Sequence, residues 1–224
     1  MKKIILTLGI LLILAAGAIF YIFQNAGSLI KTGINRFAHE FTGVETHVNS
    51  VSLNPWSGVG RIHGFFLGNP KSFKTDSAVT VDNIQIIVDK SSLTSPVLTI
   101  QQVTIDSPQI TWEGNLVNSN LSQIQKNLGQ RSSENKNTDS KAIKIKTLRI
   151  THAKIRLSLA GTAPVTLPLP DLQLNNLGGD SGASQREIAS AILEKIISSI
   201  GKLTSSAPQL LEQGTNFFKK LVRP

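Results

Sequence analysis

Five times along the chain, an apolar-x-apolar triplet is followed by two polar positions and a second apolar-x-apolar triplet. The copies are Leu98-Thr-Ile100-Gln-Gln-Val103-Thr-Ile105, Val79-Thr-Val81-Asp-Asn-Ile84-Gln-Ile86 and Ile143-Lys-Ile145-Lys-Thr-Leu148-Arg-Ile150. Leu167-Pro-Leu169-Pro-Asp-Leu172-Gln-Leu174 and the looser Thr46-His-Val48-Asn-Ser-Val51-Ser-Leu53 complete the set. Alternation rich in β-branched residues marks a half-buried strand. The doubled pair moves the alternation by one residue, so an unbroken strand would turn its two halves to opposite faces. A bulge at the pair keeps all four apolar side chains on one face and bends the strand. Recurrence of the same defect predicts a curved sheet with one apolar face. An ordinary sheet packed on helices is the plainer alternative.

The pattern places six strands. They run over Val44 to Leu53, Gly60 to Leu67, Ser77 to Asp89, Val97 to Glu113, Ala142 to Leu159 and Pro164 to Leu177. Pro108, late in the fourth, marks a sheet edge or a second break. Gly68-Asn-Pro70 and Ser91-Ser-Leu-Thr-Ser-Pro96 read as turns. Helical spacing appears before the strands at Leu29, Ile30, Ile34, Phe37, Ala38 and Phe41, with Gly43 where a C-terminal cap would stand. A short helix opens at Asn120-Leu-Ser-Gln123 and reaches about Leu128. Gln130 to Ser140 is polar and reads as an insertion within one domain. Ser184-Gln-Arg-Glu187 has the form of a capping box and opens a helix carrying Ile188, Ile192, Ile196 and Ile200. An interruption is expected at Thr204 to Pro208, then a last amphipathic piece ending in Lys219, Lys220 and Arg223. Such a piece either lies on a membrane surface or docks on the sheet.

Ile4 to Phe23 is a run of 20 residues without a charge. At 1.5 Å per residue that matches the roughly 30 Å hydrocarbon core of a bilayer. Lys2 and Lys3 precede it, which keeps the short N-terminus cytoplasmic. A cleavable leader is the competitor, with Ala16-Gly-Ala18 as its cleavage site, but the apolar run continues past that point. The expected fold is thus α+β: an N-terminal transmembrane helix, then a curved, bulged, mainly antiparallel sheet of about six strands packed with amphipathic helices. Its parts are an anchor over 1–24, a helix over 25–43, a β-domain over 44–177 and C-terminal helices over 178–224.

Little here resembles catalytic machinery. His39, His47, His63 and His152 are scattered without metal-ligand spacing, and cysteine is absent. Gly58-Val-Gly60 lacks a third glycine at dinucleotide-fingerprint spacing, and there is no phosphate loop or nucleophile elbow. Asp76, Asp82, Asp89 and Asp106 form no paired acid and base. The reading is a non-enzyme that uses no metal or cofactor. The net charge is +9, and Lys144, Lys146, Arg149, Lys154 and Arg156 alternate with apolar residues along the fifth strand. Beyond a membrane, nucleic acid is not the expected partner of such a strand. Anionic head groups are, at about 1 kcal/mol per basic residue near the surface. A solvated face that blocks strand pairing is the alternative.

Val51-Ser-Leu-Asn-Pro-Trp-Ser-Gly58, Arg61-Ile-His-Gly-Phe-Phe-Leu-Gly-Asn-Pro70 and Ser77-Ala-Val-Thr-Val-Asp-Asn-Ile84 together resemble the AsmA-like family of bacterial envelope proteins. Ile105-Asp-Ser-Pro-Gln-Ile110 and Asn118-Ser-Asn-Leu121 extend the resemblance towards Asn127. It implies a single-pass inner-membrane anchor with the bulk of the chain in the periplasm. It also implies kinship with chorein-type repeating-groove proteins and a role in lipid transport or outer-membrane biogenesis. On that reading, Ile84, Ile86, Val103, Ile105, Ile110, Leu148 and Ile150 line a groove for phospholipid or lipopolysaccharide acyl chains. The five basic residues would then meet head groups. The rival expectation is an accessory subunit of an envelope complex, binding a protein partner through a sheet edge. At 224 residues the chain offers about one module, too short to span the periplasm alone.

Overall fold

The computed structural model describes residues 27, 28, 30–36, 38–115, 118–130, 141–158 and 164–221, with backbone alone at 130 and 204–221. Ten strands form one sheet. They are β1 Thr46–His47, β2 Ser50–Asn54, β3 Val59–Gly68, β4 Ser77–Val88, β5 Val97–Asp106, β6 Gln109–Glu113, β7 Ala142–Thr151, β8 Lys154–Ser158, β9 Val165–Pro168 and β10 Leu172–Leu177. Among the described residues three α-helices accompany them, α1 at residues 27, 28, 30–36 and 38–42, α2 Asn120–Gln130 and α3 Gln185–Leu221, with a 3-10 turn at Lys90–Thr94.

The expectation of about six mainly antiparallel strands is corrected on two points. First, four of the expected strands are each broken in two. The breaks fall at Val48-Asn49, Ser107-Pro108, His152-Ala153 and Leu169-Pro170-Asp171. Ser107 and His152 take left-handed φ of 53°, and prolines 108 and 170 have no amide to give to a ladder. Second, the sheet is mixed, with β5 parallel to β7 and β6 parallel to β8. The parallel order arises because α2 and the residues after it return the chain to the starting edge, a crossover longer than the dozen residues such pairing needs. Pro108 is interior, since β6 is paired to β4 on one side and β8 on the other. The transmembrane helix expected at Ile4–Phe23 lies outside the described residues, as does the insertion expected at Gln130–Ser140 except for Gln130, which ends α2. Among the described residues no helix is long and apolar enough to cross a membrane.

The register explains how the broken strands keep one apolar face. β5 and β6 pair with β7 and β8 at a constant offset of 45 residues, Val97 with Ala142 and Gln109 with Lys154. The antiparallel registers of β3, β4, β9 and β10 also carry through the breaks. A line of interruptions therefore crosses the sheet at Asn49, Gly64, Asp82, Ser107, His152 and Pro170. Gly64, Ser107 and His152 all have positive φ there. Backbone bonds still bridge this line, Ser107 N to Thr151 O at 2.8 Å and Leu169 N to Ala153 O at 2.8 Å. Six residues away along each strand runs a second line, Gly58, Val88, Gln101, Lys146 and Asn176. Gln101 is the extra residue of a bulge against Ile87 and Val88, and Asn176 has φ 53°. The doubled pairs Asn49-Ser50, Asp82-Asn83 and Pro170-Asp171 fall on the first line, and Gln101-Gln102 and Lys146-Thr147 on the second.

Each line moves the alternation by one, so the row Ile62, Ile84, Ile105, Ile150 and Leu172 faces the same way as Leu67, Val79, Ile110, Ile155 and Leu167. This face carries the core. Ile110, Trp112, Leu148, Ile150 and Ile155 are at most 2% exposed and pack with Leu121 and Ile124 of α2 and Ile188, Leu193, Ile196 and Ile200 of α3. The opposite face is polar. α3 is one helix of 37 residues, which corrects the expected interruption at Thr204–Pro208.

Candidate functional site

Between the sheet and the three helices lies a cavity of about 310 Å³, partly open to solvent. Its floor straddles the first line of interruptions. Phe65, Leu67, Val79, Val81, Pro108 and Ile110 stand on one side, and Ile84, Ile105 and Ile150 on the other. The roof is formed by Ala38 and Thr42 of α1, Ile124 and Leu128 of α2, and Ala189, Ile192, Leu193 and Ile196 of α3. Thr42 and Thr46 are its polar lining residues, and both hydroxyls are occupied. Thr42 Oγ1 donates to Ala38 O at 2.7 Å and Thr46 Oγ1 to Val44 O at 3.2 Å. A space whose two lining hydroxyls already donate within the protein gives a polar ligand little to replace its lost hydration. Its chemistry matches hydrocarbon.

Of the seven residues expected to line a groove, Ile84, Ile105, Ile110 and Ile150 are brought together on the cavity floor. Ile86, Val103 and Leu148 share the same face but pack into the continuous core. Alternation reports which face a residue takes, and not its place along that face. The roof residues were not singled out as a site. Their signal was the small residues Ala38 and Ala189 within stripes otherwise built of Ile, Leu and Phe.

The five basic candidates do not join this site. Lys146, Arg149, Lys154 and Arg156 are exposed between the buried Ile145, Leu148, Ile150, Ile155 and Leu157, so they occupy the polar face. Lys144 pairs with Asp180 at 2.6 Å. None of the five lines the cavity. The histidines are likewise dispersed. His39 contacts Val44 O at 2.8 Å, His47 stacks on Phe66 with ring centroids 4.7 Å apart, and His63 lies on β3. His152 sits on the line of interruptions, its Nδ1 2.7 Å from Asp106 Oδ1. That hydrogen bond, then the Asp106 charge, holds the His152 imidazole above its ordinary value. The same bond, with one from Thr151, holds Asp106 below the usual carboxylate range.

Polar side chains fix the roof to the sheet. Asn120, fully buried at the start of α2, accepts from Glu113 N at 3.0 Å. Its amide donates to Asn69 Oδ1 and Thr111 O, both at 2.8 Å. Burial would raise the Glu113 carboxyl, but bonds from the Thr75 hydroxyl and the Lys74 and Thr75 amides outweigh it and hold the group low. Asn127 of α2 donates to Thr42 O at 2.7 Å and so ties α2 to α1. At the head of α3, Ser184 N donates to Glu187 Oε2 at 2.8 Å and Glu187 N to Ser184 Oγ at 3.3 Å, the reciprocal capping box. In the first turn of α3, the Arg186 guanidinium lies 4.6 Å over the Phe41 ring of α1.

No family model, curated protein or solved structure matches the chain.

Proposed function

We propose that the protein is a non-enzymatic envelope protein that shelters an acyl chain, with the apolar cavity as the shelter. The observation that carries this reading is a partly open cavity whose lining offers carbon and no free polar group. Taking a methylene at roughly the 30 Å³ of a liquid water molecule, about 310 Å³ holds on the order of ten carbons. At about 0.8 kcal/mol per fully buried methylene, such a segment gains at most roughly 8 kcal/mol, because the cavity is partly open, before the cost of ordering it. The charge-free run Ile4–Phe23 after Lys2 and Lys3 supports a single-pass anchor in a bacterial inner membrane, with the bulk of the chain in the periplasm. The resemblance of Val51–Asn127 to AsmA-like proteins supports the same class. Phospholipid or lipopolysaccharide acyl chains are the proposed cargo.

The test is native mass spectrometry of the full chain after gentle detergent extraction, alongside Ile192→Trp and Ile196→Trp. Both substitutions push an indole into the cavity from the roof. The wild type is expected to carry lipid, and the variants to lose it while keeping their circular dichroism. Lipid-free wild type would refute the reading and leave the sheet edges, as protein-binding surfaces, to account for the function.

A further inference from the structure

We propose that Arg186 is the head-group site of the cavity and that the ligand is a single acyl chain ending in an anion. The inference rests on the acyl-chain reading and adds charge selectivity to it. Its basis is the placement and the unmet bonding of one guanidinium. Arg186 lies over Phe41. Ala38, one turn before Phe41 on α1, and Thr42, beside it, both line the cavity, as does Ala189, one turn after Arg186 on α3. Phe41 and Arg186 do not themselves line the cavity, but they stand within one helical turn of its lining at the α1–α3 side.

Arg186 as a whole is half-buried. Its Nε is buried and has no hydrogen-bond partner. Among the described residues no carboxylate stands within ion-pair distance of it. The neighbouring acid, Glu187, is spent on Ser184 in the capping box. Arginine stays charged at any physiological pH, so its Nε–H, which has no partner within the protein, is a donor that an anion would satisfy. A carboxylate or phosphate at this end would meet the planar fork in a bidentate, charge-assisted contact. The position over Phe41 keeps the fork oriented while the hydrocarbon runs inward over Ala38 and Ala189. The Lys144 to Arg156 series cannot supply this contact, because it lies on the other face of the sheet.

The experiment uses the full chain in phosphatidylcholine vesicles and three diazirine-bearing probes: decanoate, decyl phosphate and decanol. Cross-links are mapped by peptide mass spectrometry. In the wild type, one or both anions are expected to label the α3 peptide holding Ile192 and Ile196 about tenfold more than decanol, the ratio one charge-assisted contact supplies. The better-labelling anion identifies the head group as carboxylate or phosphate. Arg186→Gln is expected to bring the anions down to the decanol level without reducing decanol labelling, and Arg186→Lys to keep part of the preference. A merely structural arginine would lower all three probes together, which would overturn the proposal. Equal labelling by anions and decanol in the wild type would overturn it too, while leaving the acyl-chain reading standing. No labelling by any probe would remove both.

Discussion

Replacing Asn120 by alanine tests whether the buried amide latch holds the cavity's roof. The change removes one acceptor and two donors from a fully buried site. It orphans the Glu113 amide, the Thr111 carbonyl and the Asn69 side-chain oxygen. Each buried orphan costs about 1–3 kcal/mol where water cannot reach it. All three partners are half-buried, so water recovers part of each, and the loss with the small void included is about 2–4 kcal/mol. For a chain of this size that lowers the Tm by on the order of 10 °C. Trp112 is 2% exposed and lies between the two orphaned backbone groups, so its fluorescence reports the site directly. Trp56 is 86% exposed, and a Trp56→Phe background removes its signal. Thermal melts of the full chain in a non-ionic detergent are compared with Asn175→Ala, an exposed position on the polar face whose loss should stay within about 0.5 kcal/mol. A drop in Tm no larger than that control's would show that the latch is not what fixes α2, and the account of the roof would fail.

Gly64→Ala should cost about 1–3 kcal/mol, because the position has φ +64° and its new Cβ would stand 2.1 Å from Asn49 Nδ2. Asn49→Gly in the same chain removes the Cβ that would still stand at 3.0 Å and should recover the steric part, and melts of the two single variants and the double variant separate it from the conformational part. His152 should titrate above the ordinary histidine value of about 6.5, and Asp106→Asn should bring it back in an NMR titration. The stability His152 contributes is full below its unfolded value and is lost as pH rises through the raised folded value. Asp106, held low, contributes above its unfolded value and loses that as pH falls through the lowered one. An anchored chain should stay with membranes through a carbonate wash and begin at or beside Met1. N-terminal sequencing that starts at Ile19 would exclude the anchor.

How much of the sheet was legible depended on what each residue pattern encodes. Doubled polar pairs mark where alternation shifts, and all five fall on the two lines of interruption. They do not say whether a shift is a bulge or a strand break. That choice belongs to backbone conformation, and the left-handed Ser107 and His152 look ordinary in sequence. Parallel pairing was hidden because it follows from where α2 delivers the chain, a long-range matter that local periodicity cannot report. The basic residues were read correctly as alternating with the apolar ones. That alternation is itself what places them on the face away from the cavity. Arg186 was legible only as a member of the capping-box motif, since its role depends on Phe41, 145 positions earlier in the chain.

The two faces of the first interruption line account for the cavity's position. A break in a ladder leaves fewer backbone bonds to hold neighbouring strands, and here polar side chains on the outer face make up part of the loss. Asp106 accepts from Thr151 Oγ1 at 2.9 Å and meets His152 at 2.7 Å, and Asp171 accepts from His152 N at 3.0 Å. On the inner face the same line passes under Pro108 and Val81, in the cavity floor. The floor residues there are of ordinary core size, so they do not create the space. The roof does, because Ala38, Thr42 and Ala189 face it where the stripes of α1 and α3 elsewhere carry Ile, Leu or Phe. Close packing is the default of a protein interior, and larger side chains at these three positions would supply it. Small residues on two separate helices, lining one cavity over an interrupted stretch of sheet, are the features that the proposed acyl chain would explain together.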